Sequence, residues 1–389
     1  MIRRVFSVAL MVVMVSAVLP CVGFAAEPVT IGIVCELSGS GAPAGMRWNR
    51  GVHLAAENIN AAGGMLGRKI ETFTLDTGTD PAASVAAMKK AIGRKPFIVM
   101  GTVYSSSTIV NMSVLQQVGI PQITGSGATP ITHKGNPNIF RTQMNTELMV
   151  QKMVKWITEI LKVKKMAVIY ANDAMGKGSR DALFELLPPK GVNLVSDVAT
   201  EVGQADFTGE LVRIKATGAD TVFIYVHEEE CGRILPQVRQ LGLDKTMRII
   251  GPETLLTEDT LRLAKEASNG VMGTVELSPV AKPWVPIGVQ YQKKHKEVPD
   301  HNFFKGYLGL QVANAVVKEI GGFDRQKFRD FLHNRTLCVK DHPGIRNSIH
   351  YDERGDIDWE TFLVTVKDQK HVITGLLPPL HSENFEQCK

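Results

Sequence analysis

The sequence lacks the patterns that mark several common kinds of site. No two of its five cysteines have C-x-x-C spacing, so a zinc knuckle or a thioredoxin-type site has no support. There is no H-E-x-x-H motif and no G-x-S-x-G nucleophile elbow at a strand-to-helix turn, since the stretch "TGSGA" is one residue short on each side. The sequence therefore offers no recognisable nucleophile with its base.

The charge of the chain is small and spread along its length. The formal net charge is +5, and it falls to about +3 without Arg3 and Arg4. So weak and dispersed a positive charge does not indicate a nucleic-acid partner. The sequence also contains no low-complexity tract and no short-period repeat.

An apolar run of the kind found in targeting segments occurs at the start of the sequence. The basic "MIRR" precedes "VFSVALMVVMVSAVLP", and Gly23 and Ala25 are the small residues that a signal peptidase reads. We expect a signal peptide over 1–25, cut after Ala25, and a periplasmic mature chain. An uncleaved anchor is the second interpretation, because the run is short for a span of about 20 residues. Pro20 disfavours lipidation at Cys21.

Four cysteines remain after that cleavage. Cys35 and Cys231 adjoin apolar runs and are expected to be buried thiols. Cys338 and Cys388 are candidates for a disulfide that ties down the C-terminal tail in an oxidising compartment. The residues alone leave open whether this bridge forms.

Strand-like and helix-like patterns alternate along the chain. "VTIGIVC", "KIETFTL", "PFIVMG" and "IPQIT" predict strands separated by helices, and the alternation restarts with "KKMAVIY", "GVNLVSDVA", "DTVFIYV", "MRIIG" and "GVMGTVEL". Later helices are predicted over 284–295, 303–320 and 325–334, and the tail from "SIHYDERG" to "DQKHV" as two strands joined by a polar turn. Because about 364 residues are too many for one core, we predict an α/β fold of two Rossmann-like lobes with parallel sheets and a cleft between them.

The loop after the first strand satisfies the G-x-G-x-x-A dinucleotide fingerprint. It runs from Gly39 to Ala44, and Asp76 ends the second strand, as nucleotide-binding folds require. The fingerprint discriminates poorly by itself, and an exported chain has little access to nicotinamide cofactors. The residues leave a dinucleotide site as an alternative to a loop that binds something else.

Small hydroxyl residues follow the third and fourth strands. "GTVYSSST" and "TGSGAT" place hydroxyls and free backbone N–H groups where a helix or turn begins, at the sheet edge where open α/β proteins bind ligands. The serines at 105–107, taken alone, are equally well explained as helix caps. Two such loops on neighbouring strands favour a carboxylate site.

Candidate acidic residues lie in the second series of alternating strands and helices. Glu253 follows the strand "RIIG" and suits an ammonium group across the cleft, although it is also explained as a surface residue capping a helix near Thr257. In "VHEEECG", His227 precedes three glutamates that point in different directions. This pattern favours an acidic first turn of a helix over a metal site.

Several stretches of the chain follow one another in the order of a known family. They are "IGIVCELSGSGAPAG", "AAENINAAGGMLGRKIE", "GTVYSSST", "GIPQITGSGAT", "PNIFRT", "DFTGELVRIKATGAD" and "GPE". Together they cover almost the whole mature chain. The chain resembles the type I periplasmic binding proteins of the leucine/isoleucine/valine-binding family, which are solute receptors of ABC transporters.

The resemblance implies how the chain is divided. The N-terminal lobe would comprise 26–143 and 278–352, and the C-terminal lobe 144–277 and 353–389. A three-strand hinge would join them near 141–145, 276–282 and 349–356. The opening loop would then line the rim of the cleft and bind no dinucleotide, and no cofactor is expected.

The resemblance also implies roles for individual residues. Ser105 would hold the ligand carboxylate, and Ser126 and Ala128 would supply the backbone and hydroxyl contacts of the next loop. Ala128 stands where leucine-type receptors have threonine, so one hydroxyl contact is lost or moves to Thr129. Glu253 would meet the ligand ammonium.

Departures from the family bear on specificity. Positions that are tyrosines in the branched-chain receptors fall on Ala44, Met175 and His227. This predicts a larger, less aromatic pocket, which Tyr104 partly refills. His227 and Arg47 are expected to contact an additional polar group of the ligand.

The sequence therefore predicts a receptor without catalytic activity. It would bind a hydrophobic or branched-chain amino acid, close on it as a monomer and dock on an ABC-transporter permease. One alternative ligand is an aromatic or other small carboxylate without an ammonium group. Two alternative functions are a ligand-sensing module for a separate signalling protein and a secreted enzyme that uses the same cleft.

Overall fold

The structure is a computed structural model that describes residues 27–389. The predicted signal peptide, its cleavage site and Cys21 lie outside the described residues. No helix between residues 27 and 389 combines the length and the apolar character of a membrane span.

The first sheet has five parallel strands in the order β2-β1-β3-β4-β5. The strands are β1 (Val29–Cys35), β2 (Ile70–Asp76), β3 (Ile98–Met100), β4 (Gln122–Thr124) and β5 (Ile139–Arg141). The first four confirm the strands predicted from their apolar runs. The sequence placed a hinge segment at the end of β5 but did not separate β5 as a strand.

Within residues 27–389, seven helices accompany this sheet, and three of them come from much later in the chain. They are α1 (Ala42–Ala61), α2 (Pro81–Gly93), α3 (Ser105–Val118), α4 (Pro130–His133), α10 (Val285–His295), α11 (His301–Ile320) and α12 (Arg325–Leu332). Asp80 caps α2 by accepting from the Ala83 N–H group at 2.7 Å, as the sequence predicted. The helices predicted over 284–295, 303–320 and 325–334 are confirmed to within a few residues.

Helix α11 lies against α1 with almost no space between the two backbones. A Cβ atom added at Gly51 would lie 2.0 Å from the Phe303 carbonyl oxygen, and one added at Gly306 would lie 2.3 Å from that of Trp48. Only glycine permits so close a crossing. The crossing buries most of α11 and fixes where its polar residues emerge.

The second sheet has seven strands in the order β15-β14-β10-β9-β8-β6-β7. Its parallel strands are β6 (Lys165–Ala171), β7 (Asn193–Thr200), β8 (Thr221–Tyr225), β9 (Arg248–Gly251) and β10 (Met272–Val275), and β14 (Thr361–Lys367) and β15 (Lys370–Leu377) are antiparallel. The helices are α5 (Thr146–Lys155), α6 (Ala174–Leu186), α7 (Thr208–Ala216), α8 (Glu228–Gln240) and α9 (Glu258–Ala264). Apolar cores cover both faces of this sheet.

The tail of the chain differs from its prediction. Antiparallel β11 (Arg335–Leu337), β12 (Ile349–Tyr351) and β13 (Ile357–Asp358) form a third sheet, and β14 and β15 form a separate hairpin. The predicted single pair of strands is wrong, because turns at Gly355 and at 368–369, all with positive φ, each reverse the chain.

Over the described residues, the chain passes between the two lobes three times. It leaves β5 for α5, leaves β10 for α10, and leaves β13 for β14. Trp359 is still buried in the core of the first lobe, whereas Leu363 is buried in that of the second. The third crossing therefore falls between these two residues, further along than the boundary expected at 352–353 and beyond the hinge strand expected at 349–356. The result is an α/β fold of two Rossmann-like lobes joined by a three-strand hinge.

The four cysteines of the described residues form one disulfide and two buried free thiols. Cys338 and Cys388 form a disulfide, which resolves the pairing that the sequence left open. Cys35 and Cys231 are buried free thiols, as predicted. The disulfide fixes the end of the chain to the loop that follows β11.

Candidate functional site

A small polar cavity lies between the two lobes, where strands of both sheets end. Its volume is about 30 Å³, and its lining includes Tyr104, Ser105, Met175, His227 and Glu253. All five were predicted from the sequence. Larger grooves occur on the surface of residues 27–389, and their lining residues differ from these five.

Ser126 and Ala128 do not line this cavity, although their neighbours Gly125 and Gly127 do. The Ser126 hydroxyl donates to the Val103 carbonyl oxygen at 2.9 Å, and it lies 2.6 Å from the Thr108 hydroxyl. The Ser126 side chain thus holds the loop together from behind. Its predicted hydroxyl contact with a ligand does not fit this arrangement.

Ser105 connects the two hydroxyl-rich loops. It opens α3 and lines the cavity, and its Oγ atom accepts a hydrogen bond from the Ala128 N–H group at 3.1 Å. The N–H group of Ala128 is therefore already bonded within the protein. The two loops form one wall of the cavity. Of the two serines predicted to contact a ligand, Ser105 lines this wall and Ser126 does not.

Glu36, which the sequence analysis did not single out, fixes the position of this wall. It follows β1 and is fully buried, and its carboxylate accepts from the N–H groups of Val103 and Tyr104 at 3.1 and 3.2 Å. Burial raises the pKa of Glu36 to about 7, against the opposing effect of these hydrogen bonds. Glu36 thus acts on the cavity through the backbone that it positions.

Tyr104 of the first lobe stacks on His227 of the second. Their ring centroids are 4.6 Å apart and their planes differ by 11°. Both residues line the cavity, whereas Ala44 is buried in the core of the first lobe and does not line it. In this closed arrangement the two rings stack on each other, and the larger pocket stays a prediction for the ligand-bound protein.

His227 is held by the second lobe. Its Nε2 atom lies 2.8 Å from Asp173 Oδ2, and its backbone N–H donates to Glu230 at 2.7 Å. Burial by itself lowers the pKa of His227, but the hydrogen bond and charge of Asp173 raise it to about 9. His227 also caps α8, whose first turn carries Glu228, Glu229 and Glu230, so the prediction of an acidic helical turn is confirmed.

Glu253 faces a lysine that the sequence analysis missed. Glu253 Oε1 accepts from Gln143 Nε2 at 2.9 Å, and Gln143 Oε1 accepts from Lys305 Nζ at 2.5 Å. Burial raises the pKa of Glu253 and lowers that of Lys305, and the attraction between the two charges opposes both shifts. The sequence did contain a signal for Lys305, because it is the single lysine inside the apolar helical stretch "HNFFKGYLGLQVANAVV".

Further polar contacts cross the cleft from α11 to α8. Asn302 Nδ2 donates to Glu228 Oε1 at 3.0 Å, and His301 Nε2 lies 3.7 Å from the same oxygen. Burial and the charge of Lys305 keep the pKa of His301 well below its usual value. The second lobe thus presents carboxylates to hydrogen-bond donors on the first.

Arg47 is not part of the cavity lining. Its guanidinium donates to both carboxylate oxygens of Asp259 on α9, at 3.0 and 2.8 Å, and to the Val298 carbonyl oxygen at 2.7 Å. Its predicted contact with a ligand does not fit this arrangement. Arg47 instead joins the two lobes at the rim of the cleft.

The opening loop is fixed by Asp76. This carboxylate accepts from the backbone N–H groups of Leu37, Ser38 and Gly78 and from the Ser38 hydroxyl, at 2.6 to 3.2 Å. The side chain that matched the acidic position of a dinucleotide fold is thus committed to the loop itself. Among residues 27–389, no group of three or more His, Cys, Asp or Glu side chains could hold a metal ion.

Two lobes, three crossings and a polar cleft between them define the class of hinged binding proteins. A family model described as "Periplasmic binding protein" matches residues 28–370. The chain belongs to this family, whose description implies a periplasmic location and the binding of solutes.

Curated relatives extend along nearly the whole chain. An amino acid binding protein of Pseudomonas aeruginosa is 28% identical over 372 residues, which are 95% of this chain and 98% of the relative. A leucine-, isoleucine-, valine-, threonine- and alanine-binding protein of the same species is 27% identical, over 86% of this chain and 88% of its own length.

Solved structures share the fold. A branched-chain amino acid transporter substrate-binding protein from Streptococcus pneumoniae, in complex with isoleucine, has a TM-score of 0.80 at 22% identity and covers 90% of this chain and 100% of its own. A solute-binding protein of an ABC transporter from R. palustris, in complex with benzoate, has a TM-score of 0.81 at 20% identity, covering 90% and 97%.

Proposed function

We propose that this chain is the extracytoplasmic solute-binding receptor of an ABC importer and binds a hydrophobic or branched-chain amino acid in the interlobe cleft. The observation that carries the proposal is the pairing of opposite chemistries at one cavity. Ser105 and Lys305 of the first lobe face Glu253 of the second across it. A carboxylate and an ammonium group match these two sides. The names of the curated relatives support an amino acid as the ligand.

The proposed ligand contacts are the predicted residues that line the cavity: Ser105, Tyr104, Met175, His227 and Glu253. Ser126 and Ala128 take part through the loop that they stabilise, whose Gly125 and Gly127 reach the cavity. Each charged hydrogen bond contributes about 1.5–3 kcal/mol. Three of them would supply roughly 5–9 kcal/mol before ordering costs, which corresponds to a ligand of about micromolar affinity.

Ligand entry requires the lobes to separate. A cavity of about 30 Å³ holds on the order of one water molecule, which is far less than an amino acid needs. We propose that the two lobes, in the division predicted from the sequence except at the third crossing, open and close about the three crossing segments. The closed form would then dock, as a monomer, on the membrane permease.

A carboxylate without an ammonium group is the second candidate ligand. The stacked Tyr104 and His227 rings, once apart, offer flat surfaces on which an aromatic acid could lie. The benzoate complex of the R. palustris protein supports this candidate at the level of the fold.

The proposed receptor carries out no reaction. Its signal peptide, residues 1–25, would direct it to the periplasm and be cleaved off. N-terminal sequencing of the exported protein tests the export step, with Ala26 expected as the first residue. A first residue elsewhere, or an intact Met1, would contradict the proposed cleavage.

Calorimetry on protein stripped of ligand by denaturation and refolding tests the function. The probes are L-leucine, L-isoleucine, L-valine, L-phenylalanine and benzoate, each recovered afterwards and analysed by mass spectrometry. Binding of at least one amino acid, recovered unchanged, supports the receptor. Binding of benzoate alone favours the second candidate, and consumption of a probe would contradict a receptor without catalytic activity.

A further inference from the structure

The two faces of the cleft carry opposite charges. Lys305 reaches the cavity from α11 of the first lobe, and Glu253 reaches it from the turn after β9 of the second. Both side chains are buried, and the sequence separates them by about 50 residues that include one change of lobe. Their meeting is a property of the closed structure.

Gln143 separates these two charges. Its amide group donates to Glu253 and accepts from Lys305, and Gln143 itself lies in the first crossing segment between the lobes. Within the described residues, neither Lys305 nor Glu253 forms a direct ion pair within 4.0 Å; the second polar contact of Lys305 Nζ is the Gly125 carbonyl oxygen at 3.5 Å. An uncharged bridge between two buried charges is a weaker partner for each than an ion of opposite sign.

The other charged lining residues already have partners. His227 bonds to Asp173 at 2.8 Å, and Glu228 accepts from Asn302 at 3.0 Å. Among the described lining residues, Lys305 is therefore a cation that faces the cavity without a carboxylate in direct contact.

We propose that Lys305 binds the carboxylate of the ligand from α11, as a buried cation beside Ser105, in the cleft where the proposed function places Glu253 against the ammonium group. This proposal rests on the proposed function and adds to it a cation that sets the affinity for the ligand carboxylate. The ligand would take the place of the Gln143 bridge and give each buried charge an ion of opposite sign. A simple carboxylate would bind Lys305 but leave Glu253 without a cation, which is costly inside a protein.

The test compares two probes that differ in one group. L-Leucine carries an ammonium group where 2-hydroxy-4-methylpentanoate carries a hydroxyl, and their carbon skeletons are the same. The wild-type protein should prefer L-leucine by about 10- to 100-fold. Lys305→Met should weaken both probes by about the same factor, whereas Glu253→Gln should weaken L-leucine and leave the hydroxy acid nearly unchanged.

The chain offers a matched control on the same helix. Lys318 lies on α11 but is exposed to solvent, so Lys318→Met should bind both probes as the wild type does. Where Lys305→Met or Glu253→Gln alone fails to fold, the double variant removes both buried charges together. It should fold, bind both probes weakly and show no preference between them.

The outcomes separate this proposal from the function on which it rests. Wild-type binding of neither probe, nor of the other amino acids, would overturn the proposed amino-acid ligand and this proposal with it. Wild-type binding that Lys305→Met leaves intact would overturn the role of Lys305 alone. A preference for L-leucine that survives Glu253→Gln would overturn the opposed placement of carboxylate and ammonium.

Discussion

Arg47 on helix α1 donates two hydrogen bonds to Asp259 on helix α9, and in doing so joins the two lobes at the rim of the cleft. Asp300, on the same lobe as Arg47, lies 3.6 Å from the guanidinium. Glu297 of the same lobe lies 3.5 Å from it, so Arg47 would keep two carboxylate neighbours when the lobes separate. The contact with Asp259 is available only to the closed form.

Asp259→Asn should shift the protein toward its open form. The variant removes a charge from an interlobe pair but leaves Arg47 beside Asp300, so the fold itself should be little affected. We expect an increased radius of gyration of the ligand-free protein in small-angle X-ray scattering. Ligand affinity should fall by about tenfold, since closure contributes to binding.

Asp197→Asn is the matched control, because its partner Arg180 lies on the same lobe. That variant should leave both the radius and the affinity unchanged. An Asp259→Asn protein with the dimensions and affinity of the wild type would show that the rim contact does not influence closure.

Asp173→Asn should lower the pKa of His227. The lowering effect of burial would remain while the raising effect of Asp173 is lost, and only the charges of Glu230 and Glu228 would still raise the pKa, so it should fall well below about 9. Asparagine keeps the cap on α6, where Asp173 accepts from the Gly176 N–H group at 2.9 Å. NMR titration of the His227 ring measures the change, and Asp206→Asn, an exposed carboxylate beside α7, should not alter it.

The same pair predicts a dependence of stability on pH. A histidine whose pKa is higher in the folded than in the unfolded chain stabilises the fold fully below about pH 6.5 and loses that contribution as the pH rises through about 9. Asp173→Asn should reduce the free energy of unfolding by roughly 2–3 kcal/mol at pH 6 and by much less at pH 10. A loss of equal size at both values would contradict a charged His227.

Ser105→Ala should weaken carboxylate-bearing ligands by about 10- to 100-fold. The Ser105 hydroxyl lines the cavity, and its loss would also leave the Ala128 N–H group without its acceptor. Ser106→Ala is the control, because Ser106 lies on the same turn of α3 but is exposed. If calorimetry shows equal affinities for the two variants, Ser105 supports the loop without holding the ligand.

Removal of the disulfide should destabilise the chain without opening the cleft. Cys338 and Cys388 are 50 residues apart, and cross-linking so long a loop stabilises by about 4 kcal/mol in the chain-entropy account. Urea unfolding of the double serine variant should show most of this loss, with ligand affinity unchanged. A loss of affinity would show that the tail influences the cleft.

Much of the secondary structure followed from local patterns. The apolar runs at β1 and β6 and the Asp80 cap of α2 are decided by neighbouring residues, so they could be located by inspection. The tail was misread because β11, β12 and β13 are short and because the turn at 368–369 depends on residues with positive φ that are not glycines. Neither feature gives a clear signal in sequence.

The candidate site was predicted only in part. Ser105 and Glu253 lie at strand ends, and the topology of parallel sheets brings strand ends to one edge. Whether a given hydroxyl faces the cavity, as that of Ser105 does, or the protein, as that of Ser126 does, depends on loop geometry. The roles of Glu36 and Gln143 depend on contacts with residues 67 and 110 positions away in the chain.

The sequence by itself determined the class of fold, the hydroxyl-rich loops and the acidic residue opposite them, because periodicity and strand ends are local properties. The tertiary structure decided which charges meet. The close crossing of α1 and α11 brings Lys305 to the cavity, and closure of the lobes brings Arg47 to Asp259 instead of to a ligand. These pairings depend on the packing of segments some 200 residues apart, which no local pattern encodes.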